Sequence, residues 1–385
     1  MSASGGSGGA GITPIKDRTA IVGIGQTELA KRIDRASEAQ LAAEAVVAAL
    51  DDAGIAPNEV DGVSLFDMET TDEVQLAKMV GLGDLTFFAQ VGYGGGAGCG
   101  TIANAAMAVA TGQAEVVVAW RSRKRGSGTL AVPGQWTRPF GLLRPVDEIA
   151  MLTRRYCHEH GATREHLANV AMAVRAHANR NPDAVMYEKT MTREDYFGAR
   201  MISEPLCLFD SCLETDGALA AVIVSAERAK DCKQPPAYVH AASQGLPRLH
   251  HTMVNYWAPD PLGGPARTAA KALFRHADFG PQDLDVAQIY DAFTPLVLLS
   301  LEGYGIVGEG EAGPFTDDGN IQLGGTLPVN TGGGGLSEAY VHGFNLITEG
   351  VKQMRGTSTA QVEGAETCLV TSGEGVPTSA LLLRK

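Results

Sequence analysis

Residues Gly92 to Gly98 read GYGGGAG, and residues Asn330 to Leu336 read NTGGGGL. Each glycine run leads into a stretch that reads as a helix, the first rich in small residues such as Ala103, Ala105 and Ala106, and each stretch is followed by a strand-like run: EVVVAW from Glu115 after the first, TCLVTS from Thr367 after the second. The pattern predicts turn, helix, strand in both places, with the helices ending near Gly112 and Gly350. Upstream, the same correspondence continues. AIVG at Ala20 reads as a short buried strand. Ser37, with Gln40 three residues on, opens a helix through a capping box, and Gly54 closes it. In the second half Pro265 opens a helix at its favoured first position, Ala269, Leu273 and Phe274 give it apolar spacing, and Gly280 closes it. PNEVDGVSLFD from Pro57 then matches PQDLDVAQIYD from Pro281, which aligns Asp61 with Asp285.

One order of elements stated twice predicts an α/β protein of two related halves packed as layers. The halves are residues 18–120 with 205–235, and residues 236–385. Residues 121–204 between them are polar and read as an inserted loop domain, helical in its later part (HLANVAMAVRAHANR). They carry Arg121, Arg123, Lys124, Arg125, Arg138, Arg144, Arg154 and Arg155. Residues 1–17, rich in Gly and Ser, read as a flexible tail.

Composition narrows the function classes. The 385 residues are 44% hydrophobic and 19% charged, as in an ordinary globular chain with a large core. The net charge of −13 argues against nucleic acid as a partner, although a local cationic cluster can still hold an anionic ligand. No apolar run reaches membrane-span length, and the N-terminus lacks the basic start and apolar core of a secretion signal. A cytoplasmic protein is expected. Six cysteines (Cys99, Cys157, Cys207, Cys212, Cys232 and Cys368) form no CxxC pair, so neither a disulfide framework nor a metal site is expected.

The first glycine run is no phosphate loop, because no GK[ST] follows, and no acidic residue stands at dinucleotide-fold spacing. A tight turn that aims backbone N–H groups toward a helix start remains. Such a place stabilises an anion, an oxyanion or a thiolate. Two equivalent turns favour an active-site role over packing alone.

The chain resembles the thiolase superfamily, in the branch of sterol carrier protein x and the bacterial lipid-transfer proteins. The resemblance covers nearly everything from Thr19 onward. It rests on AIVGIGQTE from Ala20, LFDSCLETDGALAAVIVSAERA from Leu208, YDAFTPL from Tyr290, LGGTLPVNTGGG from Leu323 and LVTSGEG from Leu369. It implies a thiolase fold of αβαβα layers, with an inserted loop domain.

The catalytic positions depart from that family. Thiolases carry a nucleophilic Cys in the first glycine turn, and that position falls on Gly95 here. Cys99, four residues on, reads as a packed small hydrophobe. The catalytic His position ten residues after Asn330 is Tyr340, and Tyr290 stands where the family carries Asn or His. The C-terminal catalytic Cys position falls on Leu369, beside Cys368. This pattern is similar to the aldolases of bacterial steroid side-chain degradation, which use two active-site tyrosines. The resemblance therefore implies Tyr290 and Tyr340 as the catalytic pair and Gly95 and Gly333 as backbone support for an enolate. Asp291, Asn330 and His342 become candidates for positioning substrate, with Asp291 expected to bond away from the phenols.

The implied reaction is retro-aldol cleavage of a β-hydroxyacyl-CoA, with a steroid 17-hydroxy side chain as the expected substrate, giving a ketone and propionyl-CoA. Such a cleavage needs no acyl-accepting nucleophile, which fits the missing Cys. No bound cofactor is expected, since the substrate itself carries coenzyme A, and the Arg and Lys of the insert are candidates for its phosphates. The family also implies a homodimer and a separate OB-fold, zinc-ribbon partner chain. Two other readings stay open: a thiolase with a displaced nucleophile such as Cys99, and a non-catalytic acyl-CoA or lipid-binding subunit.

Overall fold

A computed structural model describes residues 15–124, 137–250, 253 and 258–385. The first half runs β1 (Thr19–Gln26), α1 (Glu38–Ala53), β2 (Gly62–Phe66), α2 (Glu73–Val80), β3 (Phe87–Val91), α3 (Gly98–Ala110) and β4 (Val116–Arg123). The insertion holds α4 (Pro145–His160), α5 (Arg164–Ala178), α6 (Arg193–Gly198) and the short pair β5 (Met201–Ser203) and β6 (Leu206–Cys207). β7 (Gly217–Ser225) then returns to the main sheet. The second half runs β8 (Ala237–Gly245), α7 (Pro265–Arg275), β9 (Val286–Gln288), α8 (Thr294–Gly303), α9 (Ala312–Asp317), α10 (Phe344–Arg355), β10 (Thr367–Ser372) and β11 (Thr378–Arg384).

The main sheet has the order β3-β2-β4-β7-β1-β8-β11-β10-β9, and Val329 extends it past β9 through a bridge to Ala287. Read outward from the centre, the two sides match strand for strand, and they join where β1 meets β8 at Ala20–Tyr238 and Ile21–Ala237. α3 and α10 each touch strands of both halves and each other, so they form the middle layer, while α1 and α7 cover outer faces. α3 suits that place because Gly98, Cys99, Gly100, Ala103, Ala105 and Ala106 are small enough to be buried on both sides.

The aligned aspartates do the same work in both halves. Asp61 accepts from the N–H groups of Glu115 and Val116 at the start of β4. Asp285 accepts from those of Glu366 and Thr367 at the start of β10. The capping box of Ser37 and Gln40 is present, and Gly54 closes α1 at φ 73°.

Four boundaries move. α10 does not end near Gly350: a Cβ there would lie 2.8 Å from Val370, so this glycine packs the helix onto the sheet, and Gly356 at φ 74° ends it. α7 stops at His276, and Gly280 opens the next turn instead of closing the helix. β4 continues through Arg123, which gives residues 121–123 to the sheet rather than to the insertion. Residues 1–14 of the expected tail lie outside the described residues, but Asp17 is held by His240 and Arg384 and belongs to the fold.

Candidate active site

The sequence fixes Tyr290 just past β9, where the chain leaves the sheet before α8. Its N–H donates to Thr371 Oγ1 (2.9 Å) on the neighbouring strand β10. Its ring lies buried across the first glycine turn. A Cβ built on Gly95 would fall 1.8 Å from the Tyr290 hydroxyl and 2.3 Å from Cζ. The phenol therefore fills the space in which a side chain at 95 would stand. Gly343, at φ 77°, gives way to the same ring, with a built Cβ 2.9 Å from Cδ2.

Tyr340 arrives from the second glycine turn. Residues Gly334–Glu338 form a single wide turn of π type, a feature that recurs at functional sites. Gly333 and Gly334 adopt φ 110° and 54°, which lets the chain coil this tightly. Asp291, buried, holds the turn: its carboxylate accepts from the N–H groups of Gly335 (2.7 Å) and Leu336 (3.3 Å). Burial pushes the Asp291 carboxyl up to about 6, and those two N–H groups oppose the shift. The Tyr340 N–H donates to Thr215 Oγ1 (3.1 Å). Each tyrosine backbone is thus pinned by a threonine.

The two hydroxyls meet at 2.5 Å, with ring centroids 6.1 Å apart and the planes inclined by 54°. Tyr290 is buried and Tyr340 half-buried, so the pair opens to the outside through Tyr340. Burial, and then the neighbouring Tyr340 phenol, push Tyr290 well above the ordinary tyrosine range. Two neutral phenols in contact can pass a proton along the pair, but a lone Tyr290 phenolate is disfavoured.

The other sequence candidates separate into those at the pair and those away from it. His342 stands at the pair, its ring edge-on to Tyr340 with centroids 5.4 Å apart. Gly333 does not: its N–H donates to the Asn330 carbonyl, and a Cβ there would meet Ala178 of α5. That N–H is committed, so Gly333 is withdrawn as an enolate donor. Asn330 turns its amide to the Ile289 backbone, accepting from N–H and donating to C=O, which ties β9 to the turn instead of reaching substrate.

Cys99 is buried in α3. Its thiol accepts from Ser372 Oγ at 3.1 Å, and burial pushes it up to about 12, which leaves no thiolate at neutral pH. Leu369 and Cys368 lie in the core of β10, and it is Thr371 that touches the tyrosine segment.

The cationic cluster of the insertion also divides. Arg121 is buried against Glu69 and cannot meet a CoA phosphate. Lys124 donates to the Ala36 carbonyl, Arg144 pairs with Asp147, and Arg155 pairs with Glu159. Arg138 is exposed, and Arg125 lies outside the described residues. A cavity of about 530 Å³ borders the first turn at Gly92, Tyr93 and Gly96, but neither tyrosine of the pair lines it. Among the described residues no group of three or more His, Cys, Asp or Glu could hold a metal, and no helix is long and apolar enough to cross a membrane.

Sequence reasoning missed Arg121 as part of this site, along with Thr215, Thr371 and Gly343. Arg121 carried one signal: a charge that continues an otherwise apolar strand, from Val116 to Trp120, is buried with a partner.

Comparison with known proteins shows the family. A family described as "Thiolase C-terminal domain-like" matches residues 249–383. The chain is 47% identical to the 17-hydroxy-3-oxo-4-pregnene-20-carboxyl-CoA lyase of Mycobacterium tuberculosis, over 96% of this chain and all of that one. It is also 47% identical to the steroid side-chain-cleaving aldolase of Thermomonospora curvata, over 94% of this chain and 97% of that one. The chain belongs to the thiolase superfamily, in its steroid side-chain-cleaving aldolase branch. The solved Ltp2-ChsH2(DUF35) aldolase superposes with a TM-score of 0.93 at 46% identity, covering 96% of this chain and 98% of that one. Human mitochondrial 3-ketoacyl-CoA thiolase in complex with CoA shares the fold at a TM-score of 0.68 and 14% identity.

Proposed function

We propose that this protein cleaves the side chain of a 17-hydroxy steroid CoA thioester by a retro-aldol reaction run through Tyr290 and Tyr340. The observation that carries the reading is the contact of the two hydroxyls at 2.5 Å over the space that Gly95 leaves open.

In a substrate of the kind named for the Mycobacterium tuberculosis relative, the C17 hydroxyl is β to the thioester carbonyl and C20 is the α carbon. The C17 hydroxyl proton passes to one phenol, and that phenol's own proton passes to the other. The O–H electron pair becomes the ketone, the C17–C20 bond breaks, and its electrons move into the enolate of the thioester. As the second phenol takes up the first phenol's proton, it gives its own to C20 in the same step. The products are a 17-ketone and propionyl-CoA, and both phenols end neutral. A relay of this form needs no ionised tyrosine in the resting enzyme, in keeping with the upward shift of Tyr290. The N–H groups of Gly96 and Ala97 are spent on Tyr93 and Gly94 within the first turn, so the N–H of Gly95 is the one that would meet the enolate oxygen.

We further propose that the active form is a homodimer in complex with a separate OB-fold, zinc-ribbon chain, the arrangement expected from the sequence. The Ltp2-ChsH2(DUF35) name of the solved relative supports a partner subunit.

The test is release of propionyl-CoA from the 17-hydroxy pregnene-20-carboxyl-CoA thioester, with and without the partner chain. Tyr290→Phe and Tyr340→Phe should each lower kcat by about 10²–10⁴-fold, the range of a positioned acid–base group. Each should move the unfolding free energy by no more than about 1.5 kcal/mol, the worth of one hydrogen bond. Full turnover in both variants overturns the assignment, and binding of the thioester without cleavage favours a carrier.

A further inference from the structure

Arg121 is fully buried near the end of β4, beside His342. Its Nη1 donates to Glu69 Oε2 (2.9 Å) and to the Met68 carbonyl (3.2 Å), and its guanidinium carbon lies 5.2 Å from the centre of the Phe66 ring. Its Nε–H donates to Nδ1 of His342 at 3.1 Å. A guanidinium offers only donors, so Nδ1 must be the acceptor, and the single proton of the neutral ring sits on Nε2. Protonating Nδ1 would set two N–H groups against each other in a buried place.

The backbone holds His342 equally firmly. It adopts φ 51°, a left-handed conformation uncommon outside glycine, between Val341 and Gly343. Its ring stands edge-on to Tyr340 on one side and 6.2 Å from Phe66 on another. Among the described residues, the titratable or charged groups that face it include Arg121 from β4 and Tyr340 from its own segment, and Glu69, from the turn after β2, stands behind Arg121.

We propose that Arg121 is a positioning residue that locks His342 as the neutral Nε2–H tautomer, so that His342 braces Tyr340 and accepts no proton during the reaction. An imidazole with an accepting nitrogen beside Tyr340 would compete for the proton that must travel between the two phenols. Occupying Nδ1 removes that acceptor, and Nε2 is a donor only. The functional half of this inference rests on the tyrosine relay, whereas the tautomer lock concerns the resting protein and stands without it.

Two measurements test the inference. The first is ¹⁵N NMR of the nine histidines, with His342 assigned by its loss in His342→Asn. Expected is an Nε2–H tautomer at His342 that does not titrate between about pH 5.5 and 8, a window spanning the ordinary histidine range. An Nδ1–H tautomer, or titration in that window, overturns the lock. The second is the pH–rate profile of His342→Asn. Asparagine tolerates the left-handed backbone, and its Oδ1 can stand where Nδ1 does and accept from Arg121. Expected is a fall in kcat of less than about tenfold with the profile shape kept. A loss of about 10²-fold or more, as for a true acid–base relay, overturns the bracing role. Substitution of Arg121 itself is less decisive, because it leaves Glu69 buried without its cation. If Tyr290→Phe and Tyr340→Phe both keep full turnover, the relay fails while the NMR result still decides the tautomer.

Discussion

Replacing Gly95 by alanine puts a methyl group in place of one hydrogen at the point where the two halves of the site meet. The new Cβ would sit 1.8 Å from the Tyr290 hydroxyl, 2.3 Å from Cζ and 2.8 Å from Cε2, where ordinary contact begins at 3.4 Å. The ring cannot stay. Its backbone is pinned through the N–H to Thr371, and its far edge lies so close to Gly343 that a Cβ there would fall 2.9 Å from Cδ2 and 3.2 Å from Cε2. The hydroxyl must therefore retreat by more than the slack in a 2.5 Å contact with Tyr340. A misplacement of about 1 Å in a reacting group costs about 10²-fold in rate, so Gly95→Ala should lower kcat by at least that factor. Overpacking should cost about 1–3 kcal/mol in urea unfolding, which leaves the fold intact and the rate loss interpretable. The assay is propionyl-CoA release at saturating thioester. Gly198→Ala serves as control, since a Cβ there meets nothing within 4 Å. If Gly95→Ala keeps kcat within about threefold of wild type, the phenol does not depend on the space at 95, and the relay geometry is wrong.

Other consequences follow from the same structure. Cys99→Ala should keep kcat within about threefold, since a buried thiol that is protonated at neutral pH is no nucleophile; loss of about 10²-fold or more would revive the thiolase reading. Glu338 is pushed up to about 8 and Glu374 to about 7, both by burial, from an ordinary 4.5. Between 4.5 and those values the folded state keeps protons that the unfolded chain has released, so stability should fall as pH rises, until both groups are ionised near pH 8. Urea unfolding at about pH 6.5 and 8.5 reads this, and Glu338→Gln should flatten the slope; an equal slope in the variant would contradict it. A relay through two phenols moves more than one proton in the cleavage step, so kcat should vary with curvature in mixed H₂O and D₂O where chemistry limits turnover. A straight line there would indicate a single phenolate base.

Much of this architecture could be read before any coordinates, because certain residues have a single physical use. Asp61 and Asp285 align in the sequence and both receive the N–H groups that open the next strand, so the repeat was legible through a hydrogen-bond duty as well as a pattern. Glycine was less legible. Gly54 ends a helix, Gly350 packs one against a sheet, and Gly95 makes room for the ring of Tyr290, far away along the chain. The same letter serves three ends, and only the neighbours decide. Counting along the family pattern located both tyrosines but could not show that the Gly333 N–H is spent on Asn330. Arg121 looked like one of a cationic cluster on a loop. Its contact with His342 joins segments 221 positions apart, across the two halves, and no local pattern encodes that.

A buried phenol is a poor choice for a base that must first ionise, and Tyr290 is buried and shifted further from ionisation by its partner. The same burial suits a group that accepts one proton only as it gives up another, because no net charge forms on the pair. A thiolase faces the opposite demand: its sulfur must attack a carbonyl, which requires an ionised, exposed thiolate at the helix start. Here the helix start keeps its turn, but residue 95 carries no side chain that could use it, and the thiol of Cys99 is sealed in the helix packing. The two chemistries thus make contrary claims on one small volume. A ring reaching over from β9 can occupy it only if residue 95 has no side chain, and a sulfur can occupy it only if the ring is elsewhere. On that ground a side chain at 95 and the phenol of Tyr290 exclude one another, and Gly95 is the residue that admits the ring.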